Sequence, residues 1–296
     1  MSSWHLLRAL LFAPAHHTIY QREKNYPPLW NHVPDLMRNL LSVPLIIFPL
    51  LYVTAFLYAP RTYMSACVCL PILFLLLPSL FPWSFPLSIA LAPTIARERE
   101  QGTWETLRIS PIRTETLVLE KAAGALWRIR YMLRRLAIIL IFTAVGLGVL
   151  SALTIYRQFP ILNPAAVFML SIISGMIIFL IDRAQQFALM IAAALAGSSI
   201  STSVRTAISS TLLIVLLMWL LDVSIAALIL TFLGEAPIYL ALSDRYLMLF
   251  TFGSAGAYLL DLHPLWAGLL ISLTFLGREL LLRLLWHLTL RAAERL

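Results

Sequence analysis

The chain has 296 residues, 60% of them apolar and 12% charged, with a net charge of +8. Its mean hydropathy of +0.87 lies outside the range of soluble domains, and apolar blocks this continuous exclude the alternating pattern of a β-barrel. The positive charge does not indicate a nucleic-acid binder, because the basic residues cluster beside the apolar blocks. Several blocks run to about twenty residues, enough to cross a hydrocarbon core about 30 Å thick. The expected fold is therefore an all-α polytopic membrane protein.

The distribution of cations predicts orientation. Arg97, Arg99, Arg108, Arg113, Lys121, Arg128, Arg130, Arg134 and Arg135 crowd one loop, residues 93–135. Arg8, Arg22, Lys24 and Arg38 precede the first apolar block, and Arg278, Arg283, Arg291 and Arg295 lie in or after the last. Other candidate loops hold one each: Arg61, Arg157, Arg183, Arg205 and Arg245. The positive-inside rule then places both termini and the central loop in the cytoplasm.

In chain order, residues 1–38 are too polar, and too rich in Pro, His and Trp, for a cleaved signal sequence. Residues 4–12 read as a short amphipathic helix on the cytoplasmic leaflet, with Trp4, Trp30 and basic residues as anchors. His16, His17, Glu23 and His32 share no helical face, so no metal site is expected there. A transmembrane domain then occupies residues 39–296. Its first span is 40–58 and its second 64–92, interrupted by Pro71, Pro78, Pro82 and Pro86, each of which removes a backbone hydrogen bond. Cys67 and Cys69 read as small core residues rather than a metal or disulfide pair.

The stretch 96–121 is the longest strongly polar run between two long apolar blocks. Gly102 and Thr103 can end one helix and cap the next, with Glu105 in the new first turn, where a negative charge suits the dipole. Ser110 and Pro111 repeat the device as N-cap and first helical residue. A third span, 136–156, follows. Residues 165–200 would measure about 54 Å as one helix. They are therefore read in two ways: a re-entrant segment 163–175 followed by a span 176–199, or two spans meeting at Asp182 and Arg183. A fifth span covers 206–233, with Asp222 inside it. Residues 234–263, broken by Pro237, Asp244, Arg245 and several glycines, read as a re-entrant or interfacial outer segment. The last span is 265–285, with a basic tail.

Glu98, Glu100, Gly102, Thr103, Glu105, Leu107, Ser110, Pro111 and Lys121 together resemble the cytoplasmic loop of ABC-2 type ABC transporter permeases. That loop reads roughly E-x-E-x-G-T-x-E-x-L, then S-P, then G-K. Glu120 departs by replacing the usual Gly, and the motif covers about a tenth of the chain. The resemblance implies six core transmembrane helices, with eight also compatible with the charge bias, plus an N-terminal interfacial helix and a cytoplasmic coupling helix. It favours the first division of residues 165–200. It further implies an exporter subunit in a bacterial inner membrane, paired with a second permease copy or a related permease.

No Gly-x-x-x-x-Gly-Lys-Ser/Thr run occurs, so ATP and Mg are expected on a separate ABC ATP-binding subunit and no cofactor on this chain. A helix at 103–109 would dock in that subunit. Trp104 and Leu107 would give apolar contact, and Glu98, Glu100 and Glu105 complementary charge. The plainer alternative is that these carboxylates pair with Arg97, Arg99 and Arg108 on a solvated face. Asp182, Arg183, Gln185, Gln186 and Asp222 are candidate substrate-pathway residues, since intramembrane charges are costly; the competing assignment is a membrane boundary. Two other functions are weighed, an intramembrane enzyme and a non-transporting scaffold. The enzyme lacks any flanking motif around Asp182, Asp222 or Asp261.

Overall fold

The computed structural model describes residues 1–12, 18–25, 87, 90–109, 111–138, 140, 141, 144, 145, 164–232 and 264–295. All of them belong to one packing unit, Met1–Tyr26 with Leu87–Leu296. Among the described residues every regular element is helical: α1 (Ser3–Leu11), α2 (Thr18–Lys24), α3 (Pro93–Glu100), α4 (Trp104–Ile109), α5 (Thr114–Arg128), α6 (Pro164–Ile200), α7 (Val204–Phe232) and α8 (Pro264–Arg295). A further helical stretch covers 130–138. The expected span 40–58, residues 64–86 of the expected span 64–92, the later part of 136–156 and the outer segment 234–263 lie outside the described residues.

The centre of the unit is α6, and here both sequence divisions are corrected. Residues 164–200 form one unbroken helix of 37 residues. Pro164 stands at its first position, where a missing N–H costs nothing, and no proline follows inside it. Asp182 does not break it, because Arg278 of α8 meets the carboxylate at 2.7 Å. Within α6, Met169–Ile200 is long and apolar enough to cross a membrane, the one such helix among the described residues. In extent, α7 agrees to within two residues at each end with the helix expected at 206–233. The last is longer than expected, since α8 continues through the basic tail to Arg295.

The C-terminal end of α6 is built for close approach. Residues 192–199 read Ala-Ala-Ala-Leu-Ala-Gly-Ser-Ser, and every one is buried. Small side chains let neighbouring backbones come near, a packing mode suited to helices without a hydrophobic driving force between them. At Gly197 the neighbour is Thr211 of α7. A Cβ on Gly197 would lie 2.8 Å from the Thr211 backbone nitrogen and 2.9 Å from its Cα. The bare glycine carbonyl also accepts the Ser201 and Ser210 hydroxyls at 2.8 and 3.1 Å.

The same run starts α3. Ala92, the N-cap of that helix, offers no side-chain acceptor, so its first amides need a partner from elsewhere. Ser198 supplies it across the helix boundary: its hydroxyl accepts the Ile95 and Ala96 N–H groups at 3.0 and 3.2 Å. Ala92 and Ala96 then pack against Ala207 of α7. At the N-terminus, α1 is tied to α8 by Glu279, whose carboxylate accepts the Ser3 hydroxyl at 2.6 Å and its amide at 3.2 Å.

The glycines separate by environment. Gly197→Ala must force α6 and α7 apart and is expected to cost about 1–3 kcal/mol, as overpacking does. Gly277→Ala meets no atom within 4 Å and replaces a poor helix former, so it should be neutral or stabilising by up to about 1 kcal/mol. Thermal unfolding of the two variants in one detergent checks the contrast.

Candidate functional site

The polar loop is where the helices are joined, and its backbone explains why. Gln101 ends α3, and Gly102 follows with φ of +70°, the left-handed conformation that glycine tolerates without strain. The Thr103 N–H returns to the Glu98 carbonyl at 2.9 Å and the Gly102 N–H to that of Arg99 at 3.0 Å. These two bonds form a Schellman closure, so the expected stop at Gly102 is present. Thr103 precedes α4 as expected, but its hydroxyl turns back to the Glu98 carboxylate and carbonyl. The second expected cap is corrected. Pro111 sits in a bend, and α5 begins three residues later at Thr114 with Arg113 as N-cap and Glu115 in the first turn. Proline's fixed φ suits a turn as well as a helix start. Ser110 lies outside the described residues.

Three successive residues of this loop reach three different places. Glu98 points inward and is 2% exposed. Its carboxylate meets the Lys121 ammonium at 2.8 Å and the Arg22 guanidinium at 3.0 Å. Lys121, itself 1% exposed, also contacts Glu23 at 3.0 Å, and Glu23 reaches Arg128 at 3.6 Å. One buried charge cluster thus joins α2, α3 and α5. A Cβ on Gly124 of α5 would sit 2.6 Å from the Glu23 Cβ, so the glycine permits the approach that brings Glu23 to Lys121.

Arg99 closes two helices at once. Its guanidinium donates to the Ser199 and Ser201 carbonyls at the end of α6 and, at 2.9 Å, to the Ala292 carbonyl in the last turn of α8. Trp104 Nε1 donates to Ala293 at 3.4 Å, and Arg108 to Glu294 at 3.1 Å. The last four carbonyls of a helix have no partner within it and carry its negative dipole end. Three of those of α8 are therefore met by side chains of α3 and α4. Glu100 does the converse, accepting the Val204 N–H at the positive start of α7 at 3.2 Å.

This geometry revises the expected docking surface. Glu98 and Trp104 are buried and hold the loop to its own chain, so they are not available to a partner. Neither does the plain solvated-face pairing describe them, because among the three carboxylates only Glu105 pairs that way, with Arg108 at 3.2 Å. The outward side of α4 carries Glu105, Thr106 and Ile109, with Ile109 83% exposed, and Leu107 is half-buried. Glu105 and Ile109 are four residues apart on one helical face and Trp104 falls on the other. That spacing was the sequence signal for which side faces out.

No family model matches the chain, and no curated protein or solved structure does.

The candidate pathway residues lie elsewhere, along the contact of α6 with α8. Asp182 is fully buried against Arg278. Arg183 donates to Gln186 at 2.6 Å and lies over the Phe179 ring at 5.1 Å, while Gln185 donates to the Phe275 carbonyl at 2.8 Å. The structure thus brings two of the five, Asp182 and Gln185, against α8, where Asp182 meets a cation that sequence reading counted as a cytoplasmic flank, while the contacts of Arg183 and Gln186 given above stay on α6 itself. The Asp222 side chain lies outside the described residues. Among the described residues no group of His, Cys, Asp or Glu is arranged to hold a metal ion.

Burial acts to raise the Glu98 carboxyl, and the Lys121 charge, hydrogen bonds from Lys121 and Thr103, and Arg22 outweigh it. The group is held below the ordinary carboxylate range. A depressed carboxyl contributes stability that is complete above its unfolded pKa and is lost as pH falls through the folded one. Thermal stability should therefore be flat from neutral pH down to the ordinary carboxylate range and fall below it. In Glu98→Gln the neutral-pH stability is lower and the acid limb shallower. Lys121→Met leaves the buried Glu98 with only the half-exposed Arg22 and Glu23 with only the longer Arg128 contact, and is expected to cost about 3–5 kcal/mol. In the α6–α8 seam, Asp182→Leu should destabilise the protein, while Asp182→Leu with Arg278→Met should recover most of the loss. A double-mutant cycle on detergent unfolding measures this coupling.

Proposed function

We propose that this chain is the membrane-spanning subunit of an ATP-driven exporter of the ABC-2 type. In that reading it is a polytopic protein with six core spans and cytoplasmic termini, in a bacterial inner membrane. Its loop receives the motion of a separate ATP-binding subunit, which carries ATP and Mg, and two permease halves enclose the path. The loop sequence Glu98 to Lys121 suggests the family, and the apolar blocks supply the spans.

One observation carries the mechanical part of the reading. Arg99, Trp104 and Arg108 grip the last turn of α8, Arg99 also grips the end of α6, and Glu100 holds the start of α7. A displacement applied to α4 would therefore reach three long helices through hydrogen bonds, without passing through a flexible connection. The outward face of α4 would meet the ATPase, with Ile109 as apolar contact and Glu105 as the charge that orients it. Charges at such a rim set encounter and register more than affinity.

The test is capture of the full chain from its native membrane, with nucleotide-hydrolysing companions identified by mass spectrometry. The wild type should retain such a companion, and Ile109→Asp should reduce its yield roughly tenfold or more, the scale of a buried interface anchor. Arg113→Gln, a charge change outside α4, should leave it unchanged. A chain that folds and carries no such companion would remove the transporter reading.

A further inference from the structure

Where α5 passes into the next helical stretch, cations gather on aromatic rings. Arg130 lies 4.6 Å from the Trp127 ring centroid and 4.9 Å from that of Tyr131. Lys24 of α2 approaches Trp127 at 5.3 Å, and Arg134 approaches Tyr131 at 6.0 Å. Tyr20 meets Trp127 edge to face at 6.5 Å, fixing one ring from behind. Trp127 and Tyr131 are nonetheless exposed. No described carboxylate pairs with Lys24, Arg130 or Arg134. This contrasts with Lys121 and Arg128 a few residues earlier, which are matched by Glu23 and Glu98.

The patch has a direction. Residues 127, 131, 134, 138, 141 and 145 recur at alternating gaps of four and three, and all six are exposed. The first three are Trp, Tyr and Arg; the last three are Ile138, Ile141 and Val145. A basic, aromatic start that gives way to an aliphatic face on the same side matches the passage from headgroup to hydrocarbon. Free oligonucleotides would use the same stacking chemistry, but the aliphatic continuation gives them nothing to contact.

We propose that Lys24, Arg130 and Arg134, on the platform of Trp127 and Tyr131, form a headgroup site for an anionic phospholipid, whose acyl chains run along Ile138, Ile141 and Val145. The lipid phosphate would take the outward N–H groups of the cations, and the rings would hold those cations in place by cation–π attraction. The Tyr131 phenol reflects the same local field: the Arg130 hydrogen bond and charge, with Arg134 beyond, draw its pKa down. This inference requires only that the chain enters a bilayer beyond residue 136 and is independent of transport.

The experiment uses the full chain in neutral detergent, titrated with fluorescent-tailed phosphatidylglycerol and with the matching phosphatidylcholine. Wild type should prefer phosphatidylglycerol. Arg134→Gln, at an exposed position, should weaken that binding about fivefold, and Lys24→Gln with Arg130→Gln and Arg134→Gln by more than tenfold, on the usual worth of a cation near an anionic surface. Phosphatidylcholine binding should not change, and Arg291→Gln should match wild type. The proposal is overturned if Arg134→Gln binds phosphatidylglycerol as wild type does. It is also overturned if excess inorganic phosphate displaces the lipid, which would mark a free-phosphate site, or if a single-stranded oligonucleotide does so.

Discussion

An ammonium group taken out of water must be met by carboxylates, and Lys121 is met by two from different helices. Glu98 comes from the end of α3 and Glu23 from the N-terminal α2, with Arg22 and Arg128 bounding the cluster. Such a cluster adds little net stability compared with an apolar core of the same volume, but it tolerates few arrangements, because Lys121, Glu98 and Glu23 are all buried and each needs its partners close by. The register of α2 and α3 on α5 follows from that constraint. The absence of a Cβ at Gly124 is its steric counterpart.

Once α3 is held, the adjoining side chains have defined targets. Arg99 and Glu100 follow Glu98 directly, and helical geometry points successive side chains about 100° apart. Three consecutive residues can therefore serve three neighbours: the charge cluster, the joint ends of α6 and α8, and the start of α7. Sign follows the helix dipoles throughout, with guanidinium groups at carbonyl ends and a carboxylate at an amide end. The Schellman closure at Gly102 then turns the chain so that Trp104 and Arg108 add to the same grip on α8. On the proposed reading, this is how a six-residue helix could move helices several times its length.

Much of this was legible in the residues, though not all for the right reason. The stop at Gly102, the short helix after Thr103 and the extent of α7 follow from local glycine and capping chemistry and from apolar length. The charges misled where their partners are distant in sequence. Glu98 and Trp104 read as outward contacts because Lys121, Glu23 and the end of α8 are brought to them only by the fold. Length argued for a division of 165–200, about 54 Å as one helix, with Asp182 and Arg183 as the dividing point, whereas the partner of Asp182 lies 96 residues away at Arg278. Pairings of that range leave no periodic trace in a single sequence. Arg278 and Lys121 were each read as part of a cationic flank for the same reason.

The central claim is that the loop and the helix ends it touches form one mechanical body. Hydrogen exchange of the full chain, followed peptide by peptide in wild type and Lys121→Met, tests it most directly. Loss of the Lys121 pairings should lower protection together in α2, in α3 and α4, and in the last turns of α6 and α8. If protection fell only around residue 121 while the ends of α6 and α8 kept theirs, the loop would not be the joint that holds those helices.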